Sequence, residues 1–351
     1  MSNVYIGMSG GVDSSVAALL LQQAGHQVSG IHLRLVCGNE SSGCAQDGVR
    51  DAQAVADRLG IPLDTKDLST AFQQFVITNF IEEYEAGRTP NPCVVCNRHI
   101  KFGAMLDLAR AQGAEYLATG HYARVDHDAS TGRWRLLRGA DRSKDQSYFL
   151  YALTQEQLSH TLFPLGGMSK PEIRQIAAEH GLINAHKKDS QDICFVPDGD
   201  YAGFISRTTG HDSPVGDFID VSGNILGQHK GFVRYTRGQH KGLALSIEPP
   251  LYVLDKDPKT HAIRLGPNEA LFEQELFAED MNWISIPSLT TSIRVTAKTR
   301  HSQREAAATV NPLSDGRVQV IFDEPQRAIT GGQAVVFYDG DVVVGGGTIC
   351  R

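Results

Sequence analysis

The amino-acid sequence predicts an α/β protein: a doubly wound, mainly parallel sheet, then a small mixed central domain and a carboxyl-terminal β-barrel. Short apolar runs alternate with amphipathic helical stretches up to about residue 200, which is typical of right-handed βαβ units. Helical periodicity then nearly vanishes, and the end of the chain alternates apolar and polar residues as half-buried strands do. We therefore expect domains at 1–199, 200–272 and 273–351.

The elements of the first domain follow from periodicity. Buried apolar runs predict strands at 4–6, 28–35, 61–66 and 116–119. Apolar residues at helical spacing predict helices at 12–23, 46–59, 69–86 and 100–112. Ser169-Lys170-Pro171-Glu172 predicts the start of a further helix, because it combines a capping box with a proline in the first turn.

The later elements are mostly strands. Residues 251–254 and 262–265 bracket a polar turn, and alternating segments at 293–298 and 318–322 predict two more strands. Residues 335–338 and 342–344 predict a hairpin around Asp339-Gly340.

Composition excludes several classes of protein. The 351 residues contain 33 Lys and Arg against 40 Asp and Glu, a net charge of −7, which on the scale of the whole chain disfavours nucleic acid as a partner. Six cysteines are too few for a disulfide-framed secreted scaffold. The amino terminus lacks a signal-peptide pattern, and no apolar run approaches the roughly 18 residues of a membrane span. We expect a cytoplasmic protein whose functional cysteines are chemical rather than structural.

A glycine-rich loop separates the first strand from the first helix. Residues 7–15 read Gly-Met-Ser-Gly-Gly-Val-Asp-Ser-Ser. Adjacent glycines let backbone amides approach an anion, and the helix start adds its positive dipole end. The loop lacks the Gly-Lys-Ser/Thr ending of a Walker A element. The alternative is a plain glycine turn capped by Asp13 or Ser14, but the whole string favours anion binding.

Three of the six cysteines have a chemical context. Cys93-Val94-Val95-Cys96 follows a segment, 88–92, whose two prolines prevent a helix there, and Cys194 follows two lysines. Cations also follow Cys96, and a thiolate beside cations has a lowered pKa and is the reactive form. Cys37, Cys44 and Cys350 have no such context, so we interpret them as ordinary thiols.

A metal site is the alternative interpretation of these thiols. Zinc would usually need four nitrogen or sulfur ligands, which Cys93, Cys96, Cys194 and His99 could supply. An iron–sulfur cluster held by the three cysteines is a second alternative. No metal is assigned on the sequence alone.

The segment 221–247 contains no acidic residue, although the chain is acidic overall. Its cations and its interleaved rings suit phosphate contact and base stacking. They are Lys230, Arg234, Arg237 and Lys241, with His229, Phe232, Tyr235 and His240. An ordinary solvated β surface is the alternative.

The string Ser9-Gly10-Gly11-Val12-Asp13-Ser14 resembles the loop of the ATP pyrophosphatases, the adenine nucleotide alpha hydrolase-like enzymes that split ATP between its α- and β-phosphates. The resemblance implies that residues 7–14 bind the pyrophosphate part of ATP, with Mg²⁺ as counter-ion. It leaves the acceptor of the AMP group open.

Five further motifs, in order, resemble the tRNA-specific 2-thiouridylase family over essentially the whole chain. They are Arg88-Thr89-Pro90-Asn91-Pro92-x-x-x-Cys96-Asn97-x-x-Ile100-Lys101-Phe102, Ala118-Thr119-Gly120-His121-Tyr122, Lys144-Asp145-Gln146-Ser147-Tyr148-Phe149-Leu150, Ser190-Gln191-Asp192-x-Cys194-Phe195 and Tyr235-Thr236-x-Gly238-Gln239-x-x-Gly242-Leu243, with Gly345-Gly346-Gly347 near the end. The family often has Asp where this chain has Cys93, which leaves that residue as a base contact, a third redox thiol or a metal ligand.

This resemblance implies ATP-dependent 2-thiolation of the wobble uridine, position 34, of the tRNAs for Lys, Glu and Gln. Cys96 is the implied nucleophile and Cys194 the persulfide carrier, with a redox disulfide between the two as an alternative resting form. A cysteine desulfurase or a sulfur-relay protein is the implied donor. The other implied ATP contacts are Leu33, where the family more often has Met, and Gly120. The implied tRNA contacts are Asn91, Pro92, Cys93, His121, Lys144, Asp145, Gln146, Arg300, His301 and Gln333.

Two other functions remain open on the sequence. One is a different ATP-pyrophosphatase ligase, such as an amide-forming synthetase, although no ammonia source is visible. The other is an RNA-binding protein that carries a zinc or iron–sulfur site at the three cysteines.

Overall fold

The structure is a computed structural model that describes residues 1–36, 43–185, 187, 193–245 and 247–350, with the side chains of 43–47 outside that description. The predicted ordinary thiols Cys37 and Cys44, and residues 190–192 of the predicted motif, therefore lie outside the described residues or side chains.

The secondary structure comprises helices and strands in the following order. The α-helices are α1 (Val12–Gln23), α2 (Gly43–Leu59), α3 (Ser69–Phe72), α4 (Thr78–Glu85), α5 (Pro92–Cys96), α6 (Met105–Ala111), α7 (Gln155–Ser159), α8 (Lys170–Glu179) and α9 (Tyr201–Thr209). The strands are β1 (Asn3–Gly7), β2 (Gln27–Arg34), β3 (Leu63–Asp67), β4 (Tyr116–Ala118), β5 (Ala123–Asp128), β6 (Arg133–Arg138), β7 (Thr161–Leu162), β8 (Gly216–Ile219), β9 (Ile225–His229), β10 (Tyr252–Lys256), β11 (Ile263–Gly266), β12 (Phe272–Trp283), β13 (Ile293–Lys298), β14 (Ala306–Pro312), β15 (Val318–Arg327), β16 (Ala334–Asp339) and β17 (Val342–Cys350).

The amino-terminal sheet is parallel throughout, with the order β3-β2-β1-β4-β7. The chain runs outward from β1 through β2 to β3 and then returns to place β4 on the other side of β1. The strand order therefore reverses between β1 and β4, and the crevice at the carboxyl ends of these strands is where ligands bind in open α/β sheets. The predicted doubly wound fold is confirmed, and its binding edge is defined.

Two long helical segments are interrupted by π-helical turns. Residues 73–77 form a π turn between α3 and α4, and 97–104 form a longer one between α5 and α6. Such turns occur frequently at functional sites. The sequence predicts the second helix only from residue 100. It begins at Pro92 instead, because proline fits the first helical position, where its missing N–H has no intrahelical partner.

The central domain contains a four-stranded sheet of order β10-β11-β8-β9, and buried rings such as Phe218 form its core. Helix α9 packs in another apolar cluster, with Phe80 and Tyr84 of α4. The predicted strands at 251–254 and 262–265 form the antiparallel pair β10 and β11. Helix α9 is absent from the sequence prediction, although it carries an Asp200 cap and a closing Gly210 in the left-handed conformation.

The carboxyl-terminal domain is a closed barrel. Its strands run β12-β15-β14-β13-β16-β17, and β12 also pairs with β17. The predicted strand 293–298 and the hairpin around Asp339-Gly340 are both confirmed, as is the barrel. The sequence prediction lacks β14 and the long β12.

A hairpin from the first domain, β5 and β6, extends the barrel sheet alongside β17. The buried Arg138 at its end lies 3.7 Å from the ring centroid of Tyr338 in the barrel and forms an ion pair with Glu305. Asn282 of the barrel donates to the backbone oxygens of Tyr151 and Leu153 in the first domain. These contacts fix the barrel to the domain that carries the glycine-rich loop. Among the described residues, no helix is long and apolar enough to span a membrane.

Candidate active site

Serine hydroxyl groups of the glycine-rich loop after β1 form hydrogen bonds with the backbone of the same loop. Ser14 Oγ donates to the Gly11 oxygen at 3.1 Å and accepts from the Ser9 amide at 3.3 Å. Gly10 has φ +75°, and a Cβ there would lie 2.5 Å from the Gly48 oxygen, so no other residue fits without movement. In the described part of the chain, no side-chain hydrogen bond caps the α1 amino terminus, which leaves its first amides available to an anion.

The end of β4 meets this loop from the other side of the switch point. A Cβ on Gly120 would lie 2.8 Å from the Ser14 nitrogen. Two sequence-predicted ATP residues thus lie in contact, one after each of the two central strands. Leu33, the predicted adenine contact, is half-buried near the end of β2 and packs against the apolar core.

Asp13 is the centre of a polar cluster that sequence reasoning missed. Lys170 Nζ lies 2.8 and 2.9 Å from its two carboxylate oxygens, and Tyr122 donates to it at 2.7 Å. The sequence identifies Lys170 only as part of a helix start. Its approach to Asp13 depends on α8 packing against α1, which no local pattern reveals.

Two further polar residues support the loop. Buried Asn184 donates to the Gly10 oxygen at 3.2 Å and to Ser15 Oγ at 2.8 Å. His32 Nδ1 lies 2.8 Å from the Met8 oxygen, and burial lowers the pKa of His32, so a neutral ring that donates from Nδ1 fits this position.

The C-x-x-C segment forms the first turn of a helix at the same edge of the sheet. Cys96 is buried, whereas Cys93, one turn earlier, is exposed. Asn97 donates to the Phe149 oxygen at 3.0 Å and joins this turn to the segment that carries the Lys-Asp-Gln motif. Gln333 of the barrel donates to the Thr89 and Pro90 oxygens at 2.9 and 3.0 Å, which holds the preceding loop.

The three predicted functional thiols influence one another electrostatically. Cys93 and Cys194 both act on Cys96, and Cys93 acts on Cys194, so the fold brings together residues that lie about a hundred positions apart. All are free thiols in this structure, and Cys194 is exposed. Lys101 is a cation common to the three.

The expected lowering of the thiol pKa is wrong for this structure. Burial raises the pKa of Cys96 to about 12. Although Cys93 and Cys194 are partly exposed, the protein around their sulfur atoms removes enough water to raise the pKa of both thiols as well. Lys101 opposes these shifts but does not overcome them. Cations near a cysteine in the sequence favour a lowered pKa, but the sequence does not reveal the loss of hydration that raises it.

Gly120 and His121 connect the loop with the thiols. His121 Nδ1 lies 2.7 Å from Thr119 Oγ1, and its ring centroid lies 5.8 Å from that of Phe102 in the π turn. Burial, with a smaller contribution from Lys101, holds the pKa of His121 well below its ordinary value. The cation that acts on the thiols therefore also acts on the residue next to the predicted ATP contact.

Among the described residues, no group of three or more His, Cys, Asp or Glu side chains is arranged to hold a metal ion. Cys93, Cys96 and Cys194, which all belong to the described residues, form no such group. His99, the fourth ligand in the zinc alternative, stacks on Phe75 with ring centroids 4.8 Å apart.

Several sequence-predicted tRNA contacts have side chains that bind protein. Buried Asp145 accepts from the Gly139 and Ser147 amides at 3.0 and 3.1 Å, and Gln146 accepts from the Tyr122 amide at 3.0 Å. These groups shape the loop that presents Lys144. Asn91 precedes α5, and it interacts with the Tyr148 hydroxyl, while Pro92 is buried at its first position.

The barrel contributes the remaining predicted contacts. Arg300 Nη2 lies 2.5 Å from Thr330 Oγ1 and also reaches two backbone oxygens, so its guanidinium serves largely to join loops. His301 is exposed, and its ring lies tilted by 30° against Phe149 with centroids 4.4 Å apart. Its Nε2 lies 3.1 Å from the Asp145 backbone oxygen. Gln333 and His301 thus bring the barrel to the predicted site.

The acid-free segment 221–247 divides into two groups. Phe232, Tyr235 and His229 are buried in the central core, so the expectation that they stack on bases is wrong. Buried Arg237 pairs with Glu273 at 3.0 Å. The segment's exposed side chains with cationic or ring character are Lys230, Arg234, His240 and Lys241.

Family models match nearly the whole chain. A tRNA methyl transferase HUP domain model matches residues 2–198, a tRNA methyl transferase PRC-barrel domain model residues 202–267, and an aminomethyltransferase beta-barrel domain model residues 273–349.

Full-length relatives are identical to this chain at about half of the aligned positions. The tRNA-specific 2-thiouridylase MnmA 1 of Caldanaerobacter subterraneus subsp. tengcongensis is 50% identical over 99% of this chain and 98% of its own length. The tRNA-specific 2-thiouridylase MnmA of Clostridioides difficile is 48% identical over 99% and 97%. Among solved structures, the U34-tRNA thiolase NcsA of Methanococcus maripaludis matches 59% of this chain and 66% of its own at 19% identity, with a TM-score of 0.36, too low to transfer any feature.

Proposed function

The chain belongs to the tRNA-specific 2-thiouridylase family, and on that premise we propose a mechanism for ATP-dependent 2-thiolation of the wobble uridine, position 34, of tRNA. As in its relatives, the activity is that of a tRNA-uridine 2-sulfurtransferase, with tRNA as the substrate. ATP use follows from the family and from the nucleotide-binding type of its first domain.

One observation supports the mechanism: a chain of neighbouring residues joins the loop that suits a pyrophosphate to the cluster of thiols. Gly120 lies against Ser14, His121 follows it, and Lys101 acts on both His121 and the three cysteines. An activating site and a sulfur-carrying site can therefore serve a single uridine, without transfer of the activated base between sites.

The first step makes the C2 oxygen of uridine a leaving group. That oxygen attacks the α-phosphorus of ATP and forms an oxygen–phosphorus bond, while the bond to the bridging oxygen breaks and its electron pair leaves on pyrophosphate. We assign pyrophosphate binding to residues 7–14, with Leu33 and Gly120 beside the nucleoside. Asp13, the only carboxylate of that loop, fits Mg²⁺, which would supply counter-charge for the phosphates.

The second step replaces the oxygen by sulfur. The terminal sulfur of a persulfide on Cys194 attacks the activated carbon, AMP departs with the former C2 oxygen, and the uridine is left joined to Cys194 through a disulfide. Cys96, whose thiol gives up its proton in this step, then attacks the Cys194 sulfur, so the electron pair of the broken bond stays on the uridine sulfur and the base regains a proton. The Cys96–Cys194 disulfide that results needs two electrons from an external dithiol for the next turnover.

The substrate tRNA would present its wobble base to this edge in an extruded form, because the C2 atom is inaccessible in a stacked loop. We assign the base contact to the segment that contains Asn91, Pro92 and Cys93, with His121 nearby. We assign the surrounding RNA contacts to the side chains of Lys144 and His301 and to the loops around them. Asp145, Gln146, Arg300 and Gln333 belong to this surface through the loops that their side chains hold in place. The proposal also includes the domain bounds 1–199, 200–272 and 273–351. Its substrates are the tRNAs for Lys, Glu and Gln, and its sulfur donor is a cysteine desulfurase or a sulfur-relay protein.

Incubation with ATP, Mg²⁺, a persulfide donor and unmodified tRNA tests the proposal. We expect 2-thiouridine at position 34 by nucleoside mass spectrometry, with one AMP formed for each sulfur transferred. Omission of ATP should abolish the product. Thiolation without ATP, or equal thiolation of free uridine, would contradict the mechanism.

Metal analysis of anaerobically purified protein separates the thiol mechanism from the metal alternative. The persulfide mechanism predicts full activity at substoichiometric zinc and iron. Activity that rises in proportion to bound iron would instead assign Cys93, Cys96 and Cys194 to an iron–sulfur cluster.

A further inference from the structure

The glycine-rich loop lacks the positive charge that its proposed ligand needs. Residues 7–14 contain no Lys or Arg and carry the carboxylate of Asp13. A pyrophosphate group brings several negative charges close to that carboxylate. Backbone amides and a helix dipole supply only partial charges, and one Mg²⁺ does not balance all the negative charge that ATP and Asp13 bring together, so side-chain cations are needed from elsewhere in the chain.

Two lysines reach the loop from α8 and the segment after it. Lys170 is buried with 9% of its side chain exposed, and its ammonium lies 2.8 Å from Asp13 Oδ1. Lys187 lies 2.5 Å from Asp51 Oδ2 and 3.5 Å from the Gly10 oxygen. Both ammonium groups therefore lie at the rim of the anion site, and each is paired with a carboxylate.

A buried ammonium is costly unless it is paired, so the position of Lys170 needs an explanation. A structural ion pair that joins α8 to α1 is one explanation. It does not explain why the acidic partner stands inside the anion-binding loop, nor why a second lysine and carboxylate repeat the arrangement on the other side of Gly10.

We propose that Lys170 and Lys187 are the cations that bind the departing pyrophosphate, and that Asp13 and Asp51 hold them at the loop before the nucleotide enters. The inference rests on the proposed function of this site and extends it to two residues outside the loop. When ATP binds, each ammonium is shared between its carboxylate and the phosphate oxygens. The charge that develops on the bridging oxygen during adenylation then lies beside Lys170.

Calorimetric titration of the full chain with ATP, inorganic pyrophosphate and AMP tests this assignment. Because a hydrogen bond to a charged group contributes about 1.5–3 kcal/mol, Lys170→Met should weaken ATP and pyrophosphate binding roughly 10- to 100-fold. AMP affinity should not change, since AMP lacks the groups that Lys170 binds. Lys259→Met, at an exposed turn of the central domain, is the matched control and should leave all three affinities unchanged.

A second pair of variants separates phosphate binding from neutralisation of Asp13. If Lys170 only cancels the carboxylate charge, the double variant Asp13→Asn, Lys170→Met will regain wild-type affinity for pyrophosphate without Mg²⁺, which would overturn the assignment. Equal weakening of AMP and pyrophosphate by Lys170→Met would also overturn it. Lys187→Met, whose side chain is 42% exposed, repeats the test at a position where folding is not at risk.

The result is distinguishable from failure of the proposed function. Lysine-dependent pyrophosphate binding in a chain that does not thiolate tRNA would leave the assignment standing and remove the function. Normal ATP-dependent thiolation by both lysine variants would instead overturn the assignment of the lysines and leave the proposed function standing.

Discussion

Replacement of Lys256 by methionine should stabilise the protein. Lys256 ends β10, where the central domain packs on α4, and its Nζ is buried without a hydrogen-bond partner among the described residues. It lies 4.9 Å from the ring centroid of Phe232 and 6.0 Å from that of Tyr84. Burial lowers the pKa of Lys256 from 10.5 to about 8, which outweighs the opposing effect of Asp255.

The magnitude follows from linkage. The difference between 10.5 and about 8 corresponds to about 3 kcal/mol of lost stability when Lys256 is charged, at pH values below 8. Methionine has a similar length and no charge, but it loses cation–π contacts worth about 1 kcal/mol. We expect Lys256→Met to raise the free energy of unfolding by about 2 kcal/mol at neutral pH.

The sign of the pH dependence provides the check. Between pH 8 and 10.5 the folded wild type binds fewer protons at Lys256 than the unfolded chain does, so its stability rises with pH in that window. The advantage of the variant should therefore shrink as pH rises. Denaturant unfolding of both proteins across this range measures it, with Lys259→Met as the control. A less stable variant at neutral pH, or an advantage independent of pH, would refute the reasoning.

Three further predictions concern the site. Cys96→Ser and Cys194→Ser should each abolish thiolation, while the affinity for tRNA, measured by filter binding, should persist. Cys350→Ser is the control and should be active. Full activity of Cys96→Ser or Cys194→Ser would contradict the role of that cysteine. Gly120→Ala should weaken ATP binding, because its Cβ would lie 2.8 Å from a loop nitrogen, whereas Gly167→Ala, which has open space around its Cβ, should not. Alkylation followed by peptide mass spectrometry should modify exposed Cys194 well before Cys96, whose pKa is raised to about 12; equal rates near neutral pH would show that Cys96 is accessible.

The fold could be predicted where local patterns dictate it. The parallel strands, the Ser169 capping box and the Asp339-Gly340 hairpin all depend on residues within a few positions of one another. The prediction failed for β5 and β6, because their hairpin is stabilised by the barrel more than two hundred residues later. It also failed at Pro92, where position within the helix decides whether proline is tolerated.

The candidate site shows the same division. The loop motif and the cysteine spacing identify Ser9, Ser14 and Cys96, since each lies in a continuous string. Lys170 and Asn184 are missed because their role depends on which helix packs beside α1. The prediction that the rings of 221–247 stack on bases failed for another reason. The content of charged and aromatic residues in a segment does not show which of its side chains are exposed and which are buried in the core.

Access decides which cysteine an external donor can load, and this supports the assignment of the persulfide to Cys194. Residue types alone do not distinguish Cys96 from Cys194, since both have cations nearby in the sequence. Only 8% of Cys96 is exposed, so a donor protein cannot reach its sulfur. Cys194 is exposed, as a thiol must be to exchange sulfur with another protein. A buried partner suits the later step, because it attacks only a sulfur already brought to it inside the site.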